Sequence, residues 1–464
     1  MKLYNTLTKK IEEVKQYEEG VIRMYTCGPT VYHYAHIGNL RTYISEDILE
    51  KGLLYIGYDV ERVMNITDVG HMTSDGDTGD DKMAVAMERE HKSAHDIAQF
   101  YTEAFQKDCE KLNVRWPDVV SKATDNIDMY IKMIEKLLQD GYAYLADGNV
   151  YFDTTKIPNY YDLSGRNSDD LLVAVREDVE EDSAKKNPFD FGLWFTNSKF
   201  DSQELKWDSP WGVGYPGWHI ECSGIAIKYL GEYLDIHCGA EDAVFPHHTN
   251  EIAQSEAYLG HKWCSTWVHL GFLNDKTGKM SKSKGEFLTV SLLEEKGYDP
   301  LAYRFMCLNS NYRKQLVFSY EALDQAASTY NKLKNKIKSL DNTPDLHESK
   351  IDYYQDKFKK AIEDDLNTPM MITILYDMLK DNELSDFTRL YLTEDFDKVL
   401  GLNLIEEEKE LDIDEDYINK KIEERNAAKQ NKDFALADSI RDELLNKNIK
   451  LIDTREGTKF EITK

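Results

Sequence analysis

The chain has 464 residues, 41% hydrophobic and 31% charged, with 25 Gly and 10 Pro. Such a chain builds two to four domains at roughly 100–200 residues each, and its composition excludes a fibrous or intrinsically disordered protein. Against 85 Asp+Glu stand 57 Lys+Arg, a net charge of −28, so a nucleic acid would be held by shape and a few local basic residues, not by a bulk positive field.

In chain order, the charged opening MKLYNTLTKKIEEVKQYEEG lacks the apolar stretch of a signal peptide, and no 18-residue apolar run follows. A cytoplasmic chain without a membrane span is expected. Val21 to Cys27 reads as a short buried strand broken by Gly28-Pro29-Thr30, with a helix-like stretch from about His36 and a helix over Leu40–Leu54. A second strand over Asp59–Ile66 completes the βαβ rhythm of a parallel nucleotide-binding sheet. Asp75 to Asp81 (DGDTGDD) fails the calcium-loop spacing and reads as a solvated loop. Ile127, Ile131, Ile134, Leu137 and Leu138 share one helical face ended by Gly141. Tyr142–Phe152 and Val173–Val175 look strand-like around the acidic loop Glu177–Asp182, an insertion between two halves of the sheet. The second half resumes at Gly217–Leu230, with a strand over Tyr233–Cys238 and a helix from about Pro246 to Leu259. From Tyr320 onward helical periodicity dominates, through Asn419–Asn446. The fold class expected is α/β, a Rossmann-type parallel-sheet domain split by an insertion and followed by C-terminal helical domains.

His36-Ile37-Gly38-Asn39 falls after the first strand at a helix start, where backbone N–H groups and the helix dipole favour an anion such as a triphosphate. Alone, this tetrad reads more readily as a helix cap or surface residue. Its partner is Lys279-Met280-Ser281-Lys282-Ser283, two lysines three apart in a Gly- and Ser-flanked loop suited to neutralising charge on departing pyrophosphate. The pair resembles the HIGH and KMSKS signatures of class I aminoacyl-tRNA synthetases, with Asn39 departing from the last position of the first. The resemblance implies catalytic roles for His36, Asn39, Lys279 and Lys282, with Gly38 beside the nucleotide.

His247 and Glu251 are spaced i,i+4 and share a helical face; with Cys27 and Cys222 they form a donor set suited to tetrahedral zinc. Spacing alone favours Cys27 as a core thiol. The six cysteines (Cys27, Cys109, Cys222, Cys238, Cys264, Cys307) are too scattered for a disulfide framework. The blocks TCGPTVY, PGWHIECS and FPHHTNEIAQSEA resemble those that supply the zinc ligands of cysteinyl-tRNA synthetases, and agreement extends from YNTLT near the start to KDFALADSIRDELL near the end. Thr249 stands where the family commonly has a glutamate.

The resemblance implies Cys27, Cys222, His247 and Glu251 as zinc ligands, with Gly28, Thr67 and Trp218 around the amino acid and Gly239 and Asp242 at the ATP ribose or adenine. It implies ATP with Mg²⁺, L-cysteine and tRNA(Cys) as partners, and a monomer. The expected division is 1–120 and 206–270 as catalytic halves, 121–205 as insertion, 271–318 as the KMSKS connector, 319–405 as a helical bundle and 406–464 as a small anticodon-binding domain. That last stretch carries Arg425, Lys429, Lys432 and Arg441, and 419–464 holds 11 Lys+Arg against 9 Asp+Glu. A cysteine ligase of the mycothiol pathway and a silent zinc- or nucleotide-binding paralogue are the alternatives.

Overall fold

The computed structural model describes residues 1–70, 82–165, 184–197, 204–275, 278–279, 287–405, 415–430, 433–445, 449–454 and 457–462. The expected loop at Asp75–Asp81, the Val173–Val175 stretch and the Glu177–Asp182 loop lie outside the described residues.

Five parallel strands form the central sheet, in the spatial order Cys264–Leu270, Leu234–Ala240, Val21–Thr26, Asp59–Ile66, Val119–Lys122. Numbered along the chain this is 5-4-1-2-3, the doubly wound arrangement whose order reverses between the first and fourth strands. Ligands of such sheets bind beyond the carboxyl ends of the strands at that reversal. Here the reversal sets the end of Val21–Thr26 beside Cys238, whose carbonyl accepts from the Cys27 amide at 3.4 Å. The strands are short runs of β-branched and apolar residues buried from both sides, as a parallel sheet covered by helices requires.

Between the third and fourth strands lies an antiparallel sheet of Ala143–Ala146, Asn149–Phe152, Phe191–Phe195 and Tyr215–Pro216. Its first two strands close a hairpin over the positive-φ pair Asp147-Gly148, a turn whose twist matches that of the flanking strands. A small sheet of Leu273–Asp275, Gly278–Lys279 and Leu316–Val317 follows the fifth parallel strand. Helices Tyr320–Lys338, Glu348–Glu363, Thr368–Lys380 and Asp386–Leu400 then run to residue 405. Their apolar faces share one core with Ile22, Met24 and Ile236 of the parallel sheet.

Residues 406–464 form a separate compact unit. Its helices Glu415–Gln430 and Phe434–Leu445 agree with the periodicity, but the chain then makes an antiparallel hairpin, Ile449–Thr454 with Gly457–Ile462. The expected helical C-terminal region is present, and this hairpin is an addition at its end. Ile449 and Leu451 alternate with polar residues, a period-two pattern too short to outweigh the helical signal before it. No helix among the described residues is long and apolar enough to cross a membrane.

Candidate active site and metal centre

The helix Ile37–Tyr55 starts with a capping box: the His36 Nδ1 accepts from the Gly38 amide at 3.0 Å and the Asn39 side chain accepts from the His36 amide at 3.4 Å. His36 is buried while Gly38 and Asn39 lie nearer the surface. Both shoulders of the 276–286 segment are tied to this helix start. On the far side, Leu288 O accepts from the Ile37 amide at 2.9 Å, and the Phe287 ring stands edge-on to His36 at 5.3 Å. On the near side, a side-chain carbon built on Gly38 would meet Leu273 Cβ at 3.7 Å. Buried Arg41, one turn into the helix, donates to the carbonyls of Gly271, Phe272 and Lys314 at 2.5–2.6 Å. The fold thus brings the residues flanking the second motif to the start of the helix that opens on the first. Lys279 pairs through its backbone with Asn274; its side chain and Lys282 lie outside the described residues.

The second cluster gathers at the sheet reversal. Cys27 follows the first strand, Cys222 sits on the helix Trp218–Leu230, and His247 and Glu251 sit one turn apart on the helix His247–Leu259. Cys27 Sγ lies 4.0 Å from both Cys222 Sγ and Glu251 Oε1, Cys222 Sγ 3.5 Å from His247 Nε2, and His247 Nε2 3.1 Å from Glu251 Oε1. A tetrahedral zinc ion with ligands at about 2.0–2.3 Å sets its donors about 3.3–3.8 Å apart, so these four fit one ion. The imidazole and the carboxylate are each held by a neighbour, as is usual for metal-binding side chains. His247 Nδ1 meets His219 Nδ1 at 2.9 Å, and Glu251 Oε2 meets His237 Nε2 at 2.9 Å. Trp218 stacks on His247 with centroids 4.2 Å apart.

Electrostatics point the same way. The hydrogen bond to Cys222 and burial push the Cys27 thiol well above the ordinary thiol range, and burial lifts Glu251 to about 8 despite His247. These donors resist becoming anions in a dry site, and a bound cation reverses that cost by favouring the charged ligand forms.

Beside the donors, the ends of the first two strands approach so closely that a side-chain carbon on Gly28 would lie 1.6 Å from Asn65 O. The Asn65 side chain accepts from the Gly28 amide at 2.8 Å and donates to Thr67 Oγ1, which in turn donates to buried Glu221 at 3.0 Å. Gly239 is equally constrained, because a side-chain carbon there would meet His248 Cε1 at 2.5 Å. Asp242 is exposed on the short turn Glu241–Val244 that follows. Cys27, Gly28, Thr67, Cys222, Trp218, Gly239, His247 and Glu251 therefore cluster at the strand ends. His36, Gly38 and Asn39 stand at the neighbouring helix start.

The family model described as the tRNA synthetases class I (C) catalytic domain matches residues 13–328. A cysteine–tRNA ligase of Treponema denticola is 45% identical, covering 99% of both chains, and one of Clostridioides difficile is 41% identical over 99% of this chain and 100% of its own. This chain belongs to the cysteine–tRNA ligases. The fold agrees with that of a Mycobacterium tuberculosis methionyl-tRNA synthetase in complex with methionyl-adenylate, with TM-score 0.56, 15% identity, and coverage of 82% of this chain and 90% of that one.

Residues outside the motif reading complete the ligase site. His237, His269, His219 and Asn65 all contact the cluster, and of these only His219 falls in a motif block, PGWHIECS, where it drew no role. His237 carried one available signal: it is a polar residue between apolar Ile236 and Cys238 in a buried parallel strand, where a polar side chain needs a partner. His219, three residues before Cys222, carried the other, since i,i+3 places both on one helical face.

Proposed function

We propose that this ligase activates L-cysteine with ATP and transfers it to tRNA(Cys), with a zinc ion held by Cys27, Cys222, His247 and Glu251. The observation that carries the reading is the convergence of those four donors at the sheet reversal, next to Gly28, Thr67 and Trp218. A carboxylate oxygen of cysteine attacks the α-phosphate of ATP, forming the adenylate and releasing pyrophosphate. A terminal ribose hydroxyl of the tRNA then attacks the adenylate carbonyl, releasing AMP. His36, Asn39, Lys279 and Lys282 position the triphosphate and stabilise the charge that builds on the departing pyrophosphate, with Mg²⁺ accompanying the nucleotide. Gly38, Gly239 and Asp242 line the nucleotide, and Gly28, Thr67 and Trp218 hold the amino acid.

When bound, zinc supplies a soft Lewis acid that separates a thiol from a hydroxyl, a distinction an apolar pocket makes only about 10²-fold. His219 and His237 keep His247 and Glu251 oriented toward that ion. The connector 271–318 carries the phosphate loop, and the unit 406–464 meets the anticodon end of tRNA through Arg425, Lys429, Lys432 and Arg441. The enzyme acts in the cytoplasm as a monomer. Cysteine-dependent ATP–pyrophosphate exchange, with serine as competitor, tests this. A kcat/KM ratio far above about 10² in favour of cysteine is expected, and a ratio at or below it would leave zinc no part in selection.

A further inference from the structure

Cys27 and Glu251 are shared by two donor sets. One is completed by Cys222 and His247, the other by His237 and His248, and in each set the four ligand atoms lie within 4.8 Å of one another. His248 Nε2 stands 3.3 Å from Cys27 Sγ and 3.9 Å from Glu251 Oε1, and His237 Nε2 stands 2.9 Å from Glu251 Oε2. His237 and His248 meet at 4.4 Å between ring centroids, one from the Leu234–Ala240 strand and one from the His247–Leu259 helix.

The adjacent histidines of the two sets, His247 and His248, are supported alike. His247 directs Nε2 at the donors while its Nδ1 is held by His219. His248, the next residue, directs Nε2 at Cys27 while its Nδ1 is held by His269 Nε2 at 2.8 Å, and His269 Nδ1 is in turn held by Thr6 Oγ1 at 2.8 Å. An imidazole whose second nitrogen is fixed by a neighbour is the arrangement that orients metal ligands. His237 is oriented by stacking on Trp267 at 4.4 Å and 19°. Gly239 leaves room for the His248 ring, which any larger residue there would displace.

We propose that His237 and His248 form, with Cys27 and Glu251, a second and overlapping position for a divalent cation, occupied when Cys222 or His247 is unavailable. One thiolate, two imidazoles and a carboxylate make a set suited to Zn²⁺ or Co²⁺. The two positions share two ligands, so one ion fills either and never both. This rests on the reading that the cluster binds a divalent ion at all.

Zinc-loaded full-length protein, examined for metal content and by X-ray absorption, separates the two claims. Wild type is expected to hold one zinc with two sulfur and one imidazole ligands; no zinc there overturns the parent reading and this one together. His247→Ala is expected to keep one zinc, now with two imidazoles and one sulfur. The first position alone would leave it no imidazole, so a zinc without imidazoles, or none in folded protein, overturns the second position only. Cys222→Ser, a near-isosteric change, answers the same question if His247→Ala does not fold: two imidazoles and one sulfur support the proposal, one imidazole refutes it. Adding His248→Ala to either variant should lower zinc affinity by more than about 10-fold, and no change would also refute it.

Discussion

Two clusters of buried ionisable side chains share the central sheet, and they handle burial in opposite ways. Beneath the strands, Glu46 and Glu50 lie i,i+4 on the Ile37–Tyr55 helix, and Arg62 of the second strand bridges them at 3.4 and 3.1 Å. Arg115 adds a further contact to Glu50, and Arg304 binds Asp47 at 2.6 Å while Lys51 binds it at 2.9 Å. Each carboxylate there faces a protein cation. At the strand ends, Cys27, Cys222 and Glu251 face one another and imidazoles, and none of these contacts is with a lysine or arginine. The first cluster is compensated within the fold and serves structure, whereas the second consists of lone-pair donors that a metal ion would complete. Both are dense in charged residue types, so the sign of the partners, not burial, separates a structural cluster from a site.

The sharpest break in this comparison is Cys27→Ala, which removes a ligand common to both donor sets. Metal content should fall from one ion per chain to none, and cysteine-dependent pyrophosphate exchange by more than the roughly 10–100-fold typical of losing a supporting residue. Full zinc content in the folded variant would contradict the assignment of Cys27.

In the compensated cluster, Arg304→Ala should leave metal content unchanged and cost stability instead. Arg304 also donates to the carbonyls of Leu400 and Leu112, fastening the helical region to the sheet domain. Removing one partner of a buried pair costs about 3–5 kcal/mol, which should lower the urea midpoint markedly. An unchanged midpoint would mean that the ion pairs of this cluster are not coupled to the fold.

The phosphate loop sets a scale between the two. Lys279→Ala and Lys282→Ala should each lower adenylate formation by about 10²–10³-fold with metal content and cysteine affinity little altered. Rates near wild type would remove these lysines from the proposed mechanism.

The smallest effect concerns pH. Burial, opposed by Arg62, pushes the Glu46 carboxyl up to about 8 from 4.5. Between those values the folded protein holds a proton that the unfolded chain has released. Its contribution to stability is therefore fully present below 4.5 and is lost as pH rises through 8. Glu46→Gln should flatten this dependence, by at most about 1.4 kcal/mol per pH unit. An unaltered slope would place the titration elsewhere.

What the amino-acid order determined by itself is local. The βαβ rhythm, the helix start at His36 and the shared face of His247 and Glu251 follow from periods of 2 and 3.6 and from capping, interactions spanning only a few residues. Cys27 and Cys222 needed the family resemblance, because 195 residues separate them and no spacing rule links them. The tertiary structure alone decided the rest. The reversal of strand order sets Cys27 beside Gly239, and the folded site brings His237 to Glu251 and His248 to the Cys27 thiol. The fold also brings arginines from other elements against Glu46, Asp47 and Glu50. A buried polar side chain is stable only when its partners arrive, and here those partners come from distant elements that only the folded sheet brings into contact.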